Sequence, residues 1–128
     1  MAQIDEIRKD REATLAKVME LGWDPFASKF DKKNTIAEAL SMEGQEVQTA
    51  GRVISSRTHG NITFMDLRDP TGTIQLFFQK EVVGDRYKDL RHIDLGDHIG
   101  VTGKVMKTTA GEISIQPASY ELLTKAMM

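Results

Sequence analysis

The spacing of apolar and polar positions along the chain changes period once, near residue 46. Over residues 3–21, Ile4, Ile7, Leu15, Val18, Met19 and Leu21 recur at roughly helical intervals with charged residues between them, which predicts an amphipathic helix. Gly22 followed by Pro25 ends it, because glycine suits the left-handed cap position and proline cannot continue the ladder. Phe26 and Phe30 follow in a short connection and are expected to tuck into the domain. Thr35 and Glu38 have the spacing of a capping box, which opens a second short helix ending near Ser41.

From Glu46 onward the pattern is that of strands. Residues 46–57 are rich in β-branched side chains, and Gly51 inside the run predicts a bulge or a sharp bend. Residues 61–68 and 73–79 flank Asp69-Pro70-Thr71-Gly72, which has the turn chemistry of a hairpin. Residues 82–92 read as helical, with Val83, Tyr87, Leu90 and Arg91 on a mixed face. Two more strands follow, 98–107 and 112–123, joined by Thr108-Thr109-Ala110-Gly111. Five strands with a helix between the third and fourth give a mainly β protein with flanking helices. This is the order of a five-stranded OB-fold, a Greek-key barrel, here preceded by an N-terminal amphipathic helix. The expected division is a helical extension over 1–45 packed on a barrel over 46–128. A generic α+β sheet is the alternative architecture.

The hairpin fixes a register. Pairing Asp69 with Gly72 sets Arg68 against Thr73, Leu67 against Ile74, Asp66 against Gln75, Met65 against Leu76 and Phe64 against Phe77. Because side chains alternate, Met65, Leu67, Ile74 and Leu76 share one apolar face, the core side. The other face carries Ile62, Phe64, Asp66 and Arg68 from one strand, and Thr73, Gln75, Phe77 and Gln79 from its neighbour. Rings interleaved with amides and charges suit single-stranded nucleic acid, whose bases stack on the rings while polar groups meet their edges. The same alternation also allows Phe64 and Phe77 to form a second small core under the N-terminal helices.

Bulk properties narrow the function classes. The 128 residues suffice for one domain, and the absence of cysteine removes disulfides and thiolate metal sites. A net charge of −2 argues against a bulk polyanion binder, although residues 51–80 carry four Lys/Arg against two Asp/Glu. The N-terminus lacks the apolar stretch of a signal peptide and no run is long enough to span a bilayer, so a soluble cytoplasmic protein without membrane partners is expected. His59, His92 and His98 show no metal-ligand spacing, and neither a Walker loop, a dinucleotide fingerprint nor a nucleophile elbow is present. Neither a catalytic residue nor a metal ligand is therefore assigned. His59-Gly60 reads as a turn before the second strand, from which His59 can alternatively approach the backbone of a ligand. Arg57 and Arg68 near strand ends can meet phosphates or base edges, or simply be solvated. Glu112, at the rim of the binding face, would repel phosphate but would accept a hydrogen bond from a base.

Several segments then carry a family likeness. Ala50-Gly51-Arg52-Val53, Ser56-Arg57 with His59-Gly60, Thr63-Phe64 with Leu67 and Asp69, and Gly72 with Ile74-Gln75-Leu76 resemble the N-terminal domain of the class II (subgroup b) lysyl-tRNA synthetases. So do Asp94-Leu95-Gly96-Asp97, Gly100-Val101 with Gly103, Lys107-Thr108 with Gly111-Glu112-Ile113-Ser114-Ile115, and Leu122-Leu123-Thr124-Lys125-Ala126. The likeness covers essentially the whole chain. The strand-one and strand-three segments point to the wider subgroup with the aspartyl and asparaginyl enzymes, and the later ones to the lysine enzyme.

The resemblance implies a barrel that binds the anticodon loop of lysine tRNA. It implies that Phe64 stacks on an anticodon base, that Gln75 reads the central uridine, and that Arg57 and Glu112 touch anticodon bases. Phe77 receives no implied role and is expected to pack. Members often carry lysine where this chain has Asn61, so a backbone contact is expected to be missing and affinity to be lower. A catalytic domain would follow residue 126 in the family, so the chain is expected to be the recognition part of a lysine–tRNA ligase, inactive by itself. ATP and magnesium are implied only for that catalytic domain. A homodimer is implied for the full-length enzyme, and a monomer or weak dimer for this segment. The alternative function is a free-standing OB-fold that binds single-stranded nucleic acid without sequence preference, and a third is a protein-interaction module.

Overall fold

A computed structural model describes residues 30–126; the helix expected over 3–21 and Phe26 lie outside that range. The described elements are α1 (Ile36–Leu40), β1 (Glu46–His59), β2 (Ile62–Asp69), β3 (Gly72–Gln79), α2 (Lys80–Val83), a 3₁₀ segment (Gly84–His92), β4 (His98–Lys107) and β5 (Ile113–Thr124). The strands close into a barrel in the order β1-β2-β3-β5-β4, with β4 returning to β1. All ladders are antiparallel except β3 with β5, where only Gln75–Ser114 and Leu76–Ile115 pair in parallel.

The β2–β3 register is the one that alternation demands, from Asp69–Gly72 to Phe64–Phe77, with Thr63–Phe78 and Ile62–Gln79 beyond. Met65, Leu67, Ile74 and Leu76 are buried, and Phe78 joins them edge-on to Tyr120 at 5.6 Å between ring centroids. Each large side chain fully buried in this way contributes about 1.5–3 kcal/mol relative to exposure. β1 is long because it serves two neighbours, pairing with β4 over Glu46–Arg52 and with β2 over Arg52–His59.

Gly51 sits where β1 changes partner, but it is not the bulge. The irregularity falls between Val53 and Ser55. Gly51 is required instead for close approach, since a Cβ there would stand 2.5 Å from the Arg68 carbonyl oxygen. Gly103, beside an irregularity in β4–β5, has the same role against the Gln116 carbonyl.

The two ends of the β2–β3 hairpin are closed differently. At the turn end lies α1, whose capping box is formed as the spacing predicts: the Thr35 hydroxyl accepts from the Glu38 N–H and the Thr35 N–H donates to Glu38. Ile36 and Ala39 of this helix are fully buried. The buried Asp69 carboxylate ties helix to hairpin. One oxygen accepts from the Ile36 N–H (3.0 Å) and Lys32 Nζ (2.8 Å), the other from the N–H groups of Thr71 and Gly72 and the Thr71 hydroxyl. At the opposite end, residues 80–92 are not one α-helix. A single α-turn breaks at Gly84, whose φ is +74°, and continues as 3₁₀, with Leu90 and then Ile93 buried against the barrel.

Asp94-Leu95-Gly96-Asp97 and Leu122–Ala126, two of the three segments that carried the most specific likeness, meet in space. Lys125 Nζ lies 2.6 Å from Asp97, 2.9 Å from Asp94 and 2.7 Å from the His92 carbonyl. The side chains of Lys125 and Asp97 are almost wholly shielded from solvent. Asp97 also accepts from the N–H groups of Asp94 and Ala126. These motifs fasten the last described residues to the β4 entry. Their role is architectural.

Candidate nucleic-acid interface

The outer face of β1–β2–β3 is arranged in rows set by the ladders. Arg57, Phe64 and Phe77 are cross-strand partners in one row; Ser55, Asp66, Gln75 and Ser114 form the next. The rows are two residues apart, about 6–7 Å along a strand. With the β4–β5 loop they enclose a groove of ≈ 390 Å³, lined on the sheet side by Arg57, His59, Phe64, Gln75 and Phe77 and on the loop side by Met106, Thr108–Ala110 and Glu112. All four residues expected at the site, Arg57, Phe64, Gln75 and Glu112, border this one groove.

Each is held differently. Phe64 is half-buried and packs on Phe77 at 5.0 Å with the rings tilted by 46°, so one ring supports the other. Phe77 thus packs as expected, but on the floor of the groove. Arg57 is half exposed, reaches over the Phe64 ring (5.9 Å to the centroid), and stands 3.8 Å from Asp66. An exposed ion pair that long contributes at most about 1 kcal/mol, so the guanidinium is free to move to a ligand. Asp66 is also engaged by the Ser55 hydroxyl at 2.6 Å.

Gln75 is fixed by Ser114, whose hydroxyl donates to the amide oxygen at 2.8 Å. A hydroxyl both donates and accepts, so Ser114 can grip either end of the amide and leave the other to a ligand. Glu112 is carried by a tight turn. Thr108 accepts through its hydroxyl from the Glu112 N–H (3.1 Å) and donates its own N–H to the Glu112 carbonyl (2.9 Å), and Gly111 takes φ +87°. The carboxylate is exposed at the groove rim.

Some contributors were not assigned from sequence. His59 is the last residue of β1, paired with Ile62, and borders the groove, while the turn itself is Gly60–Asn61 with Gly60 at φ +63°. Ser114 positions Gln75 only because β3 and β5 pair in parallel, which no local pattern announces. Phe77 was readable on the outer face, since it is two residues from Gln75. Among the described residues no three His, Asp or Glu side chains are placed to hold a metal, and no helix is long and apolar enough to cross a membrane.

A half-open groove, with two rings on its floor and an amide, a guanidinium and a carboxylate around them, matches flat heterocycles with polar edges. Residues 47–123 match the tRNA anticodon family described as an OB-fold nucleic acid binding domain. The chain belongs to that family. Within it, this OB domain is related to the N-terminal region of lysine–tRNA ligases. The chain is 35% identical to the lysine–tRNA ligase of Latilactobacillus sakei over 98% of its own length and 27% of that protein. It is 39% identical to that of Enterococcus faecalis (91% of this chain, 26% of that protein) and 37% identical to that of Bacillus subtilis (95% and 26%). The chain spans about a quarter of the length of the curated relatives it matches.

Proposed function

We propose that this OB domain recognises the anticodon loop of lysine tRNA as the recognition part of a lysine–tRNA ligase. The observation that supports it most is the convergence of Arg57, Phe64, Gln75 and Glu112 on one groove. In this reading one anticodon base lies on Phe64, backed by Phe77. Gln75, one row away, pairs with the edge of the central uridine through whichever amide end Ser114 leaves open. The Arg57 guanidinium swings from its long contact with Asp66 to a base, and Glu112 accepts from a base donor at the rim. Lysine attachment, with the ATP and magnesium it uses, belongs to parts of such a ligase outside the segment matched here, and so does most of the surface of a homodimer.

The charge of the groove favours base reading over phosphate holding. Arg57 is opposed by Glu112 and by its neighbour Asp66, so the groove offers donors and acceptors without a surplus of positive charge. Titrating a lysine-anticodon stem-loop against wild type, Phe64→Ala and Gln75→Ala tests the proposal. The ring is expected to cost about 1–3 kcal/mol of binding, and the glutamine variant to relax choice at the central base. Wild-type-like binding by both variants would sink the assignment. Equal affinity for scrambled loops would favour a sequence-indifferent OB protein.

A further inference from the structure

A groove without surplus positive charge leaves the RNA backbone unaccounted for. In OB folds, stacking works together with a basic track that follows the phosphates, and about 4–16 nucleotides are covered per fold. The same outer face of β1 and β2 carries such charge further along. Arg52 and Arg68 are direct cross-strand partners, both exposed. Alternation sets Arg68 on the face of Phe64 and Asp66, beyond Gln75 and about 13 Å along β2 from Phe64. The two arginines border a concavity of ≈ 560 Å³ that is shared with Lys32, Ile54 and His98.

This pair differs from ordinary solvated charges in three respects. Like charges directly opposite on a sheet repel, and among the described residues neither arginine has a carboxylate partner. The carboxylate beside them, Asp69, is already saturated by Lys32, Ile36, Thr71 and Gly72. Their proximity is also built into the backbone, because Gly51 lets β1 cross within van der Waals distance of the Arg68 carbonyl. Two guanidinium forks on adjacent strands match the several oxygens of one phosphate, which each can engage through paired N–H donors.

We propose that Arg52 and Arg68 form a phosphate clamp, which holds the sugar–phosphate backbone of single-stranded RNA on the far side of Gln75 from the stacked base. The inference rests on the anticodon-loop reading of the groove and adds to it a sequence-independent contact. It divides the face into a neutral part that reads bases and a basic part that fixes the strand.

The test is a fluorescence-anisotropy titration of the 128-residue chain with a lysine-anticodon stem-loop and a scrambled loop, from about 50 to about 200 mM salt. Wild type is compared with Arg52→Gln, Arg68→Gln, the double variant and Arg68→Lys. Losing one phosphate contact lowers the slope of log affinity against log salt by about 0.7 for a single strand. The expected result is that drop in Arg68→Gln and no larger drop in the double variant, because the one phosphate is held only when both side chains grip it. Arg68→Lys retains the wild-type slope, and all variants keep the wild-type ratio between the two loops. Without RNA, Arg68→Gln unfolds at or above the wild-type temperature, since a repulsion has been removed, which separates weak binding from poor folding. Unchanged slopes alongside Phe64-dependent binding would remove the clamp and leave the groove standing. A changed ratio between loops would make the arginines base readers and also overturn the clamp. Absence of Phe64-dependent binding by wild type would take down both proposals.

Discussion

Replacing Asp69 by asparagine tests how the fold holds the binding face, because Asp69 joins α1 to the hairpin that carries Phe64 and Gln75. In Asp69→Asn the amide oxygen keeps the donors of Thr71 and Gly72, so the turn survives. The new NH₂ group, however, faces two donors, Lys32 Nζ and the buried Ile36 N–H. A charge-assisted hydrogen bond contributes about 1.5–3 kcal/mol, and a buried N–H left without an acceptor costs about 1–3 kcal/mol. Lys32 is about one-third exposed, which places its share at the lower end. The sum is about 3 kcal/mol at neutral pH, or roughly 15 °C in Tm for a domain of this size.

The pH dependence gives the sharper test. Burial by itself would raise the Asp69 pKa, but the Lys32 ammonium, the Thr71 hydroxyl and the N–H groups of Ile36 and Thr71 hold it well below the usual carboxylate range. A carboxyl depressed in the folded state gives stability that is fully present above its unfolded pKa of about 3.9 and is lost as pH falls toward the folded value. Urea unfolding of wild type and Asp69→Asn should therefore show a constant gap from neutral pH to about pH 5, narrowing below about pH 4. A neutral-pH gap under about 1 kcal/mol, or a gap that does not shrink in acid, would refute the account of Asp69 as an ionised anchor.

Two further outcomes follow from the packing. Lys125→Ala should lose about 3–5 kcal/mol by urea unfolding, because Asp97 is left buried without its cation, and Asp97→Asn with Lys125→Met should cost less than the sum of the single changes; strict additivity would show that the pair is not coupled. Gly51→Ala should destabilise by about 1–3 kcal/mol, since its Cβ meets the Arg68 carbonyl and the β1–β2 corner must open. The same variant is expected to lower the salt slope of RNA binding, because it separates Arg52 from Arg68.

Much of this protein is determined by its sequence alone, and the reason is locality. Asp69-Pro70-Thr71-Gly72 sets the hairpin, the period of two sets its faces, and together they give every pair from Asp69–Gly72 to Phe64–Phe77, and so put Phe64 and Gln75 outside. Thr35 and Glu38 likewise specify a helix start through contacts three residues apart. What spans the chain was decided by the tertiary structure. Gly51 signals a backbone exception, but whether that is a bulge or a close approach depends on Arg68, seventeen positions away and supplied by another strand. Residues 82–92 have helical composition, yet Gly84 and the demands of burying Leu90 and Ile93 turn most of them into 3₁₀.

The site divides along the same line. Arg57 and Glu112 gained their expected roles from family likeness, and only closure of the barrel through the short parallel β3–β5 contact sets Glu112 across from Phe64. Ser114 became a partner of Gln75 by that same closure. Lys125 and Asp97 read as a family signature in the sequence, and folding revealed them as a buried ion pair. Local periodicity can say which way a side chain points. What it meets there depends on which distant strand the barrel brings alongside.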